Sequence, residues 1–202
     1  MWRLDRSKRE IERAVERVNA IKQGHPLDPS TMVGAQASND QLEKILSYID
    51  IAKGEGAKCV LGGGPATKEE GGGKYFVKPT IFTGVNNKMR IAQEEVFGPV
   101  LAIIRFKDED DALRIANDVR FGLGAGVWTG DIGRAFRVSE RLQAGTVWVN
   151  AYRAVSFMSP FGGYKDSGLG RENGAQAINE FLQTKSVWIN TGAGSINPFV
   201  MR

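Results

Sequence analysis

The 202-residue sequence has a single cysteine, Cys59, and a single histidine, His25. One cysteine cannot form an internal disulfide, which accords with a reducing compartment and gives the expectation of a cytoplasmic protein. One histidine with one cysteine leaves no ligand set for structural zinc. No apolar run approaches the ~20 residues that cross a bilayer, so no membrane partner is expected. The opening stretch, Met1 to Glu10, is charged and lacks an apolar segment, so a secretory leader is not expected either. No five consecutive residues are all Lys or Arg, and aromatics do not alternate with a basic stripe. The net charge of +4 therefore reads as a mixed, solvated surface rather than a nucleic-acid footprint. Internal repeats and low-complexity tracts are also missing.

What is present is ordinary for a soluble domain: 42% hydrophobic and 25% charged residues in a chain long enough for one sizeable core. The 25 glycines are in excess of usual composition and predict many tight turns. Ile11, Ala14, Val15, Val18 and Ile21 recur at helical spacing, predicting a helix from Asp5 to Gln23 that Gly24 stops. Ser38 with Gln41 reads as a capping box opening a second helix, whose face is Leu42, Ile45, Leu46 and Ile49. Short strands follow at Lys58 to Leu61 and, as an edge or interrupted strand because of Pro79, at Tyr75 to Phe82. Val100 to Phe106 is apolar almost throughout and predicts a buried strand.

The rest alternates. A helix is expected over Asp108–Val119, a strand over Gly124–Thr129, a helix over Asp131–Leu142 and a strand over Gly145–Asn150. A long loop, Ala151–Arg171, leads to a helix over Glu172–Leu182 and a last strand over Lys185–Asn190. This rhythm predicts an α/β fold with a largely parallel, twisted sheet flanked by helices. Residues 1–183 would form the main body, and 184–202 a terminal strand and tail.

Two segments stand out chemically. Gln93-Glu-Glu-Val-Phe-Gly-Pro-Val100 precedes the strongest strand, where a carboxylate could hold the vicinal hydroxyls of a ribose and an aromatic could flank a planar ring. The alternative is a helix-end carboxylate and a core phenylalanine. Phe161-Gly-Gly-Tyr-Lys-Asp-Ser-Gly-Leu-Gly-Arg-Glu-Asn-Gly174 contains a spacing like a dinucleotide fingerprint, but a loop precedes it and the last helix follows. That context excludes the Rossmann reading, which needs a preceding strand inside a βαβ unit. Cys59 lies among Lys58, Val60 and Leu61 with no paired base, and reads as a small buried thiol rather than a nucleophile.

Those two segments, in that order, resemble the C-terminal part of the NAD(P)-dependent aldehyde dehydrogenases, and so do Leu142 to Asn150 and His25 to Pro29. The resemblance runs from about Glu10 to Asn190, and Met1 to Lys8 matches poorly. It implies an enzyme well over twice this length, with the cofactor domain, the general base and the nucleophilic cysteine lying upstream. In the complete enzyme a thiolate attacks an aldehyde, hydride passes to NAD or NADP, and water releases the acid. The resemblance places Glu95 and Phe97 at the cofactor ribose and puts Val155, Phe157 and Phe161 around the aldehyde funnel. Those funnel residues could equally be packing residues. It also implies a monovalent cation near Lys165 and Gly168, and a proton relay at Glu172, which could instead be a helix-terminal charge. No residue of this chain is the expected nucleophile, so the chain alone is expected to be inactive and to bind no cofactor. A homo-oligomer joined through the terminal strand is expected, with the missing N-terminal part or full-length relatives as further partners. The alternative is a non-catalytic assembly module that binds aldehyde dehydrogenase subunits.

Overall fold

The computed structural model describes residues 4–67 and 73–192, with side chains from residue 8 onward. Helix α1, Leu4–Asn19, stops four residues short of the expected Gln23. Gln23 is drawn away instead: its backbone bridges to Val33, and its buried amide donates to the Val77 carbonyl at 2.8 Å. Helix α2, Asn39–Gly54, starts as predicted, with the Ser38 hydroxyl accepting from the Gln41 amide nitrogen at 3.2 Å. It buries Ile45, Ile49 and Ala52, while Leu42 and Leu46 pack at the margin.

Strands β1, Lys58–Leu61, β2, Thr80–Val85, and β3, Val100–Ile104, form one sheet in that order. β1 runs antiparallel to β2, and β3 runs parallel to it. Of the two readings of this strand the interrupted one holds and the edge one is corrected: β2 starts only after Pro79 and is central, with Ile81 and Phe82 wholly buried. Pro79 allows this because the strand begins one residue after it, so no ladder donor is lost. Between β2 and β3 lies the one-turn α3, Arg90–Gln93. The core joins α2 to this sheet through Ile45, Ile49, Val77, Phe82, Val85, Met89, Ile91 and Val96.

Beyond β3 the burial thins. α4, Glu109–Asn117, and α5, Ile132–Arg141, begin where expected, and their N-caps are Asp108, which accepts from Asp111 N, and Asp131, which accepts from Arg134 N. Strand β4, Phe121–Gly122, pairs antiparallel with β7, Tyr164–Lys165. β5, Gly124–Val127, pairs parallel with β6, Thr146–Val149. Among the described residues of this half, Leu113 and Ala135 are the buried hydrophobic side chains.

Four further expectations are corrected. The sheet is not one largely parallel layer but three small pieces, only two of which contain a parallel pair. β3 is half-buried rather than buried, with Leu101 45% exposed. A cleft of about 720 Å³ lined by Phe106, Leu113, Trp128 and Val138 separates its neighbourhood from β5, so no described strand covers that edge. Lys185–Asn190 is not part of any described strand, and Val187, Trp188 and Ile189 are exposed. A strand needs an edge to pair with, and no described edge reaches this segment. The helix expected over Glu172–Leu182 is a 3₁₀ helix, Ala175–Phe181, without buried residues. No described helix is long and apolar enough to cross a membrane.

Candidate functional site

The turn from α3 to β3 separates its two glutamates. Glu94 closes α3, and its carboxylate takes two hydrogen bonds from the Arg90 guanidinium at 2.8 Å and one from the Tyr48 hydroxyl at 2.6 Å. These bonds, Arg90's first, hold the Glu94 carboxyl down at about 2, and the same contact raises the Tyr48 phenol. Glu94 is thus the helix-end carboxylate. Glu95 is exposed, and among the described residues its carboxylate has no partner.

The Glu94 arrangement has a definite pH signature. A carboxyl depressed from 4.5 to about 2 adds stability that is complete above 4.5 and disappears as pH falls through about 2. Glu94→Gln should therefore unfold at lower urea than the parent chain at neutral pH. The gap should close between pH 4.5 and 2. Urea midpoints across that range check it, and a gap independent of pH would refute the linkage.

Phe97 follows with φ of +56°, a left-handed conformation that a phenylalanine adopts only under outside constraint. Two neighbours supply it. The Gln41 side chain, instead of returning to its own helix cap, donates to the carbonyls of Phe97 at 2.8 Å and Val96 at 3.2 Å. Gly98 lies so close to Ile45 that an added Cβ would stand 2.5 Å from its Cδ1. The Phe97 ring is 70% exposed, so the core-phenylalanine alternative does not hold.

Glu94 and Glu95 form one wall of a cleft of about 510 Å³, with Leu123, Gln143, Asp166 and Ser167 among the others lining it. Phe97 stands outside that lining. Sequence reasoning missed Leu123 and Ser167. Leu123 is 46% exposed, and Ser167 accepts from the Gly122 amide nitrogen at 2.9 Å. The Gly122-Leu123-Gly124 triplet, an exposed leucine between two glycines at a strand start, was the available signal.

A second cavity, about 330 Å³, is lined by Thr146, Trp148, Val155, Ser159, Pro160 and Phe161, among others. It brings Val155 and Phe161 together as expected, whereas Phe157 lies outside its lining and is 83% exposed. Trp148 was not anticipated. It donates to the Ala154 carbonyl at 2.7 Å and meets Tyr152 edge-on at 5.8 Å, so it buttresses the loop that forms the wall. The two cavities adjoin, since Gly124 of the first and Thr146 of the second are direct partners across β5 and β6.

Phe161 and Glu172 exchange two backbone hydrogen bonds at 2.7 Å. Glu172 therefore sits in a β-bridge and not at a helix terminus, and the 3₁₀ helix starts three residues later. At the Lys165–Gly168 turn, the Asp166 carboxylate pairs with Arg120 at 2.6 Å, and the Lys165 ammonium donates to the carbonyls of Asn117 and Val119. Cys59 is half-buried rather than buried, with its thiol donating to the Leu61 carbonyl at 3.3 Å; it lines neither of the two cavities.

Comparison with known proteins bears on this arrangement directly. The family model described as "Aldehyde dehydrogenase family" matches residues 5–187. Acetaldehyde dehydrogenase 2 of Cupriavidus necator is 54% identical over 190 residues, covering 94% of this chain and 37% of that protein. The structure of betaine aldehyde dehydrogenase from Staphylococcus aureus in complex with NAD+ superimposes with a TM-score of 0.88 at 40% identity, over 96% of this chain and 39% of that one. Indole-3-acetaldehyde dehydrogenase of P. syringae, with NAD+ and IAA, does so with a TM-score of 0.85 at 44% identity, over 92% of this chain and 37% of that one. Spanning little more than a third of the length of these relatives, the chain belongs to the aldehyde dehydrogenase family.

Proposed function

We propose that this chain supplies the C-terminal part of the catalytic domain of an NAD(P)-dependent aldehyde dehydrogenase and oxidises no aldehyde alone. The observation that carries this reading is the division of labour between neighbouring glutamates: Glu94 is locked to Arg90 and Tyr48, while Glu95 is left free at a cleft. A free carboxylate can accept hydrogen bonds from two vicinal hydroxyls, and charge-assisted bonds of this kind are roughly twice as strong as neutral ones. Glu95 would hold the ribose of the cofactor, and Phe97, held with its ring exposed, would flank the ring system. When bound, the nicotinamide supplies hydride acceptance.

The adjoining cavity would take the aldehyde. Val155, Phe161 and Trp148 offer it apolar and aromatic walls, which favour an apolar substituent over a charged one. Glu172 is exposed one bridge away from Phe161 and is our candidate for moving a proton to solvent. None of these groups is a nucleophile. Cys59 has neither a paired base nor a position at the cavities, so covalent catalysis is left to a thiol from outside this chain. The assay is direct: the purified chain with aldehyde and either NAD+ or NADP+ should form no reduced cofactor. Steady formation that survived Cys59→Ala would overturn the reading, and formation abolished by that change would make Cys59 the nucleophile.

Association is the second part of the proposal. Val187, Trp188 and Ile189 are 71%, 95% and 79% exposed in a segment of strand-like composition outside the described sheets, which is suited to adding a strand to another subunit. We expect a homo-oligomer, with a dimer as the simplest form. Light scattering over a dilution series tests this. A monomer at high micromolar concentration, unchanged by removing the residues after Gln183, would refute it.

A further inference from the structure

The C-terminal end of α4 gathers contacts from three separate segments. The Lys165 ammonium donates to the carbonyls of Asn117 at 2.6 Å and Val119 at 3.0 Å. Between those two, the Asp118 carbonyl accepts from the Gln93 side-chain amide at 2.7 Å, which also donates to Asn87 O at 2.6 Å. The Asn117 side chain spans Arg141 O and Gln143 N, each at 2.9 Å. The Arg120–Asp166 ion pair closes the ring. Carbonyls at a helix C-terminus carry partial negative charge and favour a cation, so the ammonium is well placed.

These contacts lie around the 510 Å³ cleft. Glu95, on one wall, is two residues beyond Gln93; Asp166 and Ser167, on the other, directly follow Lys165; Asn117 and Val119 also line it. We propose that Lys165 is a positioning residue, its ammonium fastening the glycine-rich turn to the end of α4 while Gln93 carries that restraint to the turn bearing Glu95. The two walls of the cleft then keep a fixed separation. The consequence for catalysis rests on reading this cleft as the ribose site, but the coupling itself does not.

Hydrogen exchange, read by mass spectrometry on the whole 202-residue chain, tests the coupling without cofactor. Lys165→Met keeps the aliphatic stem and removes the ammonium. It should speed exchange about fivefold at residues 117–121 and 164–168, and also at 86–96, which Lys165 does not touch. Lys165→Arg should restore most of the protection. Gln93→Leu alone should speed 86–96 and, because coupling is reciprocal, 117–121 and 164–168 as well; with Asn87 also bound to Asp118, adding Lys165→Met to it should speed 86–96 by less than Lys165→Met does alone. Acceleration confined to 117–121 and 164–168, or spread evenly through α2 and β1, would overturn the proposal. If Lys165→Met does not fold, Gln93→Leu still decides it, because it must speed 164–168 as well as 86–96.

In an enzyme completed with the missing part of a relative, Lys165→Met should raise KM for the cofactor roughly tenfold, with a smaller effect on KM for the aldehyde, and Lys165→Arg should recover it. A silent Glu95→Gln in the same enzyme would remove the ribose reading and leave the exchange result standing. The converse pattern would remove the coupling alone.

Discussion

In an enzyme completed by joining this chain to the portion of the C. necator relative that it does not cover, Glu95→Gln is expected to lower turnover about tenfold to a hundredfold. The amide can still touch the ribose, but it replaces two charge-assisted acceptor contacts with at most one neutral acceptor. Hydrogen bonds to charged groups contribute about 1.5–3 kcal/mol, which sets that range. The loss should fall on hydride transfer rather than on attack at the aldehyde, because Glu95 faces the cleft and lies outside the cavity that holds Phe161. A larger acylation burst relative to steady turnover would locate it there. Glu94→Gln is the matched control. It breaks the Tyr48–Arg90 contacts and weakens the fold, yet it removes no group free to meet a ligand. Unchanged turnover and cofactor affinity in Glu95→Gln would rule out the ribose clamp.

The contrast between Glu94 and Glu95 also shows where reading a sequence stops. Two adjacent carboxylates before a strand are visible in one dimension, but which of them is free depends on Tyr48, forty-six positions away. Gln41 makes the same point. Its spacing from Ser38 marks a capping box, and the cap forms, but only from the Ser38 side. The amide that should complete the box reaches the carbonyls of Val96 and Phe97 instead and sets the exposed Phe97 conformation. Local signals were legible where local chemistry decides them. Asp108 and Asp131 begin their helices as caps, and the strands at Lys58, Gly124 and Thr146 start within a residue of expectation.

Pairing between strands was not legible, because it depends on neighbours that apolar runs do not specify. Val100–Ile104 has the composition of a strand buried on both faces, yet it is half-exposed and flanks an apolar cleft. Lys185–Asn190 has a strand's composition but is not part of any described strand. Both features are what a strand-forming sequence does when its covering surface lies outside the chain. They agree with a chain that spans 37% of a relative to which it is 54% identical. The loss of buried side chains beyond β3 follows the same division: the first half has its own core around Phe82, and the second half carries the cavities.

The central claim is that this chain carries a cofactor wall and a substrate wall but no nucleophile. The most direct measurement compares aldehyde-dependent NADH formation by the chain alone, by the completed enzyme, and by each with Cys59→Ala. No NADH is expected from the chain alone, robust turnover from the completed enzyme, and no effect of Cys59→Ala in either. Turnover by the isolated chain, or a folded completed enzyme that stays inactive beside an active parent relative, would contradict it.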